Sequence, residues 1–98
     1  MGKCIIMNPK DNVATVIKKI SKNEKLIIMN AQMKAIGEIT AIGDIPFAHK
    51  IGIADIKKDE NIVKYGEIVG KATADIKKGE YIHTHNVVSI EGSKKVAK

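Results

Sequence analysis

Residues 54–62, Ala-Asp-Ile-Lys-Lys-Asp-Glu-Asn-Ile, recur twenty positions later as residues 74–82, Ala-Asp-Ile-Lys-Lys-Gly-Glu-Tyr-Ile. Seven of the nine positions are identical. A repeat this close in a chain of 98 residues predicts two equivalent corners of one small fold. The repeated Asp55, Glu60, Asp75 and Glu80 then serve to fix turns, through side-chain bonds to backbone N–H groups, and not to catalyse. The repeat lies inside a stretch, residues 45–86, that holds all three histidines and all three aromatic residues.

The length bounds the rest. Ninety-eight residues make one domain that buries roughly 60 to 65% of its unfolded surface. Such a chain has a core but cannot enclose a large substrate alone, so an active site here is expected to be shared with another chain. The apolar residues are mostly Ile, Val and Ala, with no Trp and one Phe, a β-branched set that favours strands. Cys4 has no partner for a disulfide and stands in an apolar run, which predicts a buried thiol. No apolar run approaches the length of a membrane-spanning helix, and no signal peptide is recognised, so a cytoplasmic protein is expected.

The net charge of +6 invites a nucleic-acid reading, but every basic residue is Lys. Base readers use Arg forks and single-strand binders use stacked aromatics, so nucleic acid is disfavoured. A soluble Lys-rich surface is the simpler account, and a small anionic substrate is another.

Along the chain, residues 3–7 and 25–29 read as strands. Val13, Val16, Ile17 and Ile20 fall at helical spacing and predict one short amphipathic helix. Short strands broken by glycine fill the stretch from residue 30 to 43. Residues 49–53, 61–65 and 68–70 follow as strands, and residues 81–88 form a single last strand. The fold class expected is mainly β with one short helix, built from short bent strands. Residues 1–90 form the domain, and 91–98 a basic flexible tail.

Within that frame, His83 and His85 at i and i+2 share one face of the predicted last strand. Two such imidazoles can ligate a metal, or one can orient a substrate while the other moves a proton. Equally, they can serve as hydrogen-bonding groups at a strand end. His49 joins them only if the fold brings it close. Strand alternation sets Lys50 on the opposite face from His49. Lys64 and Tyr65 offer a cation and a phenol, suited to a carboxylate and a hydroxyl, or else simple packing of the ring.

The ordered set Asn8-Pro9-x-Asp11-Asn12-Val13, Ile45-Pro46-x-x-His49-Lys50, Ala54-Asp55-Ile56, Lys64-Tyr65-Gly66-x-x-x-Gly70-x-Ala72, Gly79-Glu80 and His83-x-His85-Asn86 resembles the amino-terminal SAF domain of the altronate and galactarate dehydratases. The resemblance implies a β-clip fold. It implies a hydro-lyase that removes water from a sugar acid together with a large dehydratase subunit, this chain being the separate small subunit and inactive alone. It implies a divalent metal, commonly iron, held mainly by the large subunit, with His83 and His85 as candidate ligands here. His49, His83 and His85 become candidate catalytic residues. Lys50, Lys64, Tyr65 and Asn86 become candidate substrate-binding residues. The small subunit of a sulfolactate sulfo-lyase is the nearest alternative. A non-catalytic SAF module that binds carbohydrate or acts as a chaperone is the next.

Overall fold

A computed structural model describes residues 1–89. Among the described residues the nine strands are β1 (Gly2–Ile5), β2 (Val13–Val16), β3 (Lys25–Met29), β4 (Ala35–Thr40), β5 (Lys50–Gly52), β6 (Asn61–Lys64), β7 (Glu67–Ala72), β8 (Tyr81–Ile82) and β9 (Val87–Ser89). Six form a mixed sheet in the order β4-β3-β1-β2-β5-β8, in which only β1 and β3 run parallel. Three form an antiparallel sheet in the order β6-β7-β9. The expected tail, 91–98, lies outside the described residues.

No helix occurs among the described residues, and so none long enough to cross a membrane. The short helix expected from Val13 to Ile20 is instead strand β2 and a turn. The reason is position. β2 lies between β1 and β5, and both its faces are covered. Val13 packs into one core, with Ile56, Ile62, Ile76 and Ile82. Ala14 and Val16 face the other, with Cys4, Ile20, Leu26, Ile45 and Ile51. A strand buried on both sides loses its period-two signature, and its apolar run then imitates a helix face.

The repeat predicted from residues 54–62 and 74–82 is real and larger than the sequence identity reveals. Four corners share one seven-residue form, at 20–26, 45–51, 56–62 and 76–82. The first residue of each is a buried isoleucine, and the seventh is a buried Ile or Leu. The fourth has positive φ in every copy: Asn23, Ala48, Asp59 and Gly79. In each, the fifth N–H donates to the second carbonyl, at 3.0, 3.1, 2.9 and 2.9 Å in chain order.

The corners interlock in pairs. Ile20 bridges Ile45, and Ile56 bridges Ile76. In the second pair the Lys58 N–H donates to Asp75 at 2.8 Å while the Lys78 N–H donates to Asp55 at 2.9 Å. Each fourth N–H reaches across to the segment leading into the partner corner, as Asp59 does to the Ala72 carbonyl and Gly79 to the Gly52 carbonyl, both at 2.8 Å. Each pair is therefore related by a local two-fold. The buried isoleucines at its centre exchange reciprocal backbone bonds as an antiparallel bridge, and truncating one to Ala costs about 2–5 kcal/mol.

Candidate functional site

The corner plan explains how the site arises, because the site lies where one corner departs from it. In three corners the fifth residue is a glutamate whose carboxylate accepts from the second residue's N–H: Glu24 from Ser21 at 3.0 Å, Glu60 from Lys57 at 2.6 Å and Glu80 from Lys77 at 2.9 Å. In the corner at 45–51 the second residue is Pro46, which has no N–H to donate. The fifth residue there is His49, and its side chain is released from turn duty. Its Nδ1 instead shares a 2.7 Å hydrogen bond with the Tyr81 hydroxyl, the donor being set by the histidine tautomer.

Tyr81 in turn departs from its own repeat, since Asn61 stands at the equivalent place. It begins β8, opposite Ile51 of β5, and Lys50 lies opposite Ile82. Continuing that register sets His49 across from His83, and their rings lie 5.0 Å apart. The Tyr81 ring stacks on His83 with centroids 5.6 Å apart and planes 8° from parallel, and it meets the His85 ring at the same separation. All three histidines therefore gather around one tyrosine. His83 and His85 are exposed, whereas His49 and Tyr81 are half-buried.

The expected basis for that gathering needs correction. Residues 81–88 are not one strand, since β8 ends at Ile82 and β9 begins at Val87, with a turn between. Asn86 closes the turn. Its Oδ1 accepts from the His83 N–H at 3.0 Å, and its Nδ2 donates to the Tyr81 carbonyl at 2.9 Å and to Glu80 at 3.3 Å. The Asn86 side chain is buried and committed to these bonds, so the structure gives it the task of shaping the histidine turn.

His83 also lines a cleft of about 330 Å³ with Lys50, Lys64, Thr84 and Ser89 around an apolar floor of Ile62, Val69, Ile82 and Val87. Alternation does set Lys50 apart from His49, yet both border His83, which joins the two groups. Burial pushes the Lys50 ammonium below the usual lysine range, and the nearby charge of Lys64 pushes it further. Two half-buried cations that repel each other favour an anion between them. Tyr65 stands apart from the histidines. It is exposed, with positive φ, and the Lys64 ammonium lies 4.9 Å over its ring.

The residues do not fit a metal held by this chain alone. Among the described residues no three His, Cys, Asp or Glu side chains are placed to hold a metal ion, and His49 Nδ1 is occupied by Tyr81. Tyr81 escaped the reading of the sequence. The signal for it was there, as one of only two differences between the copies at 54–62 and 74–82.

Comparison with known proteins agrees with this architecture. The family model described as the altronate/galactarate dehydratase SAF domain matches residues 2–90. An altronate dehydratase of Bacillus subtilis is 37% identical over 86 residues, covering 88% of this chain but 16% of the relative. An altronate dehydratase of Escherichia coli is 33% identical over 76 residues, covering 78% of the chain and 14% of the relative. A (2R)-sulfolactate sulfo-lyase subunit alpha of Paracoccus pantotrophus is 40% identical over 48 residues, covering 49% of the chain and 72% of the relative. The chain thus spans about a sixth of the altronate dehydratases it matches. With strands throughout, interlocked corners and a family match over the whole described region, the chain belongs to the altronate/galactarate dehydratase SAF-domain family, and its fold is the β-clip of that family.

Proposed function

We propose that this chain is the SAF part of a carbon–oxygen hydro-lyase of the cytoplasm, acting with a large dehydratase chain on an anionic hydroxy acid of the altronate or galactarate kind. The observation that carries the reading is the His49–Tyr81–His83 group set beside the Lys50–Lys64 cleft. Loss of water next to a carboxylate breaks a C–H bond and a C–O bond and forms a C=C bond. It requires a base for the α-proton and a proton for the leaving hydroxide. Lys50 and Lys64 suit the substrate carboxylate. The hydrogen-bonded His49–Tyr81 pair, with His83 and His85 against it, suits holding and moving a proton. Tyr65, outside the cleft lining but under the Lys64 ammonium, suits a substrate hydroxyl. Asn86 contributes by fixing the turn that carries His83 and His85. The divalent metal expected for such enzymes, iron above all, belongs in this reading to the large chain.

The cleft is open, so turnover requires the second chain. Assays on altronate and galactarate with this chain, the large chain of its own source, and both together test this. Turnover is expected only from the combination. Turnover by this chain alone, or a large chain equally active without it, overturns the reading. A sulfo-lyase reading has one observation in its favour: the sulfolactate sulfo-lyase match covers 72% of a relative named as a subunit. Sulfite release from sulfolactate by the same combination, without action on either sugar acid, would decide for it.

A further inference from the structure

We propose a carboxylate-binding site at the Phe47 backbone N–H beside Lys19, in the one corner of four that has no internal carboxylate there. The inference rests on the corner geometry and not on the lyase reading.

Across the local two-fold, the third residue of each corner corresponds to the residue just before the partner corner's first isoleucine. In three cases an aspartate stands there. The Lys22 N–H donates to Asp44 at 2.8 Å, the Lys58 N–H to Asp75 at 2.8 Å, and the Lys78 N–H to Asp55 at 2.9 Å. In the fourth, the third residue is Phe47, and the residue before Ile20 is Lys19. Lysine has no acceptor. The Phe47 N–H finds none among the described residues, while its neighbour in the same turn, Ala48, donates to the Val16 carbonyl at 3.1 Å.

The local two-fold locates the missing oxygen. Lys19 and Phe47 line one pocket of about 370 Å³, with Pro46 and Tyr81 as apolar walls. Three sister corners show that this backbone shape accepts a carboxylate oxygen at hydrogen-bond distance. Replacing the aspartate by lysine removes the internal anion and supplies a counter-charge for an external one. Asp44 borders the same pocket and does not forbid the second anion, since Asp55 and Asp75 occupy the equivalent pair of places together. A charge-assisted bond to one N–H plus one exposed ammonium suits a carboxylate of millimolar affinity. Tyr81 forms part of the wall, so a ligand seated there reaches the residue to which His49 is bonded.

The test is an amide NMR titration of the full chain. Acetate, tartrate and N-acetyl-aspartate amide are added separately, against sodium chloride at matched ionic strength. The Phe47 amide should move and saturate with the carboxylates and not with chloride. A tighter response to tartrate assigns the site to a hydroxy acid. An equal response to N-acetyl-aspartate amide assigns it to carboxylates at large, a partner's side chain included. Lys19→Asp installs the acceptor of the other corners. It should shift the Phe47 amide without ligand, abolish the titration and raise Tm. Lys19→Ala, which changes only an exposed side chain, should weaken the response several-fold. A Phe47 amide that follows chloride and carboxylates alike, or a titration unchanged in Lys19→Ala, overturns the proposal.

Discussion

Tyr81 and Lys50 are central to the proposed site, and the contribution of each can be separated from its structural duties. Tyr81→Phe keeps the ring that stacks on His83 and removes only the hydroxyl bonded to His49. Its expected cost in a urea titration is about 0.5–1.5 kcal/mol, the net worth of one hydrogen bond. Under the proposed function, its effect on turnover by the two chains together should be much larger, since proton transfer through positioned groups contributes about 10²–10⁴-fold. Equal, small losses in both would reduce Tyr81 to a packing residue. Lys50 gives a pH signature. Its folded pKa lies below the ordinary 10.5 because of burial and then Lys64. The unfolded chain therefore holds that proton more tightly, and stability rises as pH climbs through the lowered value toward 10.5. Lys50→Met removes the charge, so its stability advantage over the wild type should shrink across the same window. An advantage constant with pH would show that the charge is not the cause.

At the scale of the element, the corner is the unit of construction. Its fourth residue must adopt positive φ, and four different residues do so. Gly79 is the demanding case, because a Cβ there would meet the Thr40 carbonyl as well as the left-handed backbone. Gly79→Ala should exceed the roughly 1–2 kcal/mol cost of that conformation alone. Asp59→Gly, at the matching place in the other copy, should be close to neutral. Chemical denaturation of the two variants checks the contrast, and similar behaviour would mean that the Thr40 contact relaxes at little cost. The Pro46–His49 corner shows how a repeat departs from its plan. A proline removes the N–H that fixes glutamate in the sister corners, and the fifth position becomes free for a histidine.

At the scale of the whole molecule, β2 ties the two cores together, giving Val13 to one and Ala14 and Val16 to the other. Cys4 reports on the integrity of that arrangement. Burial pushes its thiol from 9.0 up to about 12. The native state then keeps a proton that the unfolded chain loses, so this contribution is complete below 9.0 and fades as pH rises toward 12. A thiol reagent should label Cys4 only as fast as the protein opens, with rates that rise in urea in step with loss of structure. Rapid labelling of the native protein would mean that the first core opens locally.

The sequence by itself determined the β-rich class, the buried Cys4, the repeat at 54–62 and 74–82 and the short list of histidines and lysines worth watching. These follow from local signals: β-branched composition, identical residues at a fixed offset, and rare residue types in one stretch. Only the tertiary structure decided the rest. Val13 to Ile20 looked helical because a strand covered on both faces has no alternation to display. Two of the four corners stayed hidden because their likeness to the others lies in backbone bonds and in two buried positions, which many sequences satisfy. His49 met His83 through the register of β5 and β8, and Tyr81 became their centre, because pairing between distant segments is fixed by the burial of isoleucines such as Ile51 and Ile82. Side-chain identity marked the candidates, and long-range packing chose which of them touch.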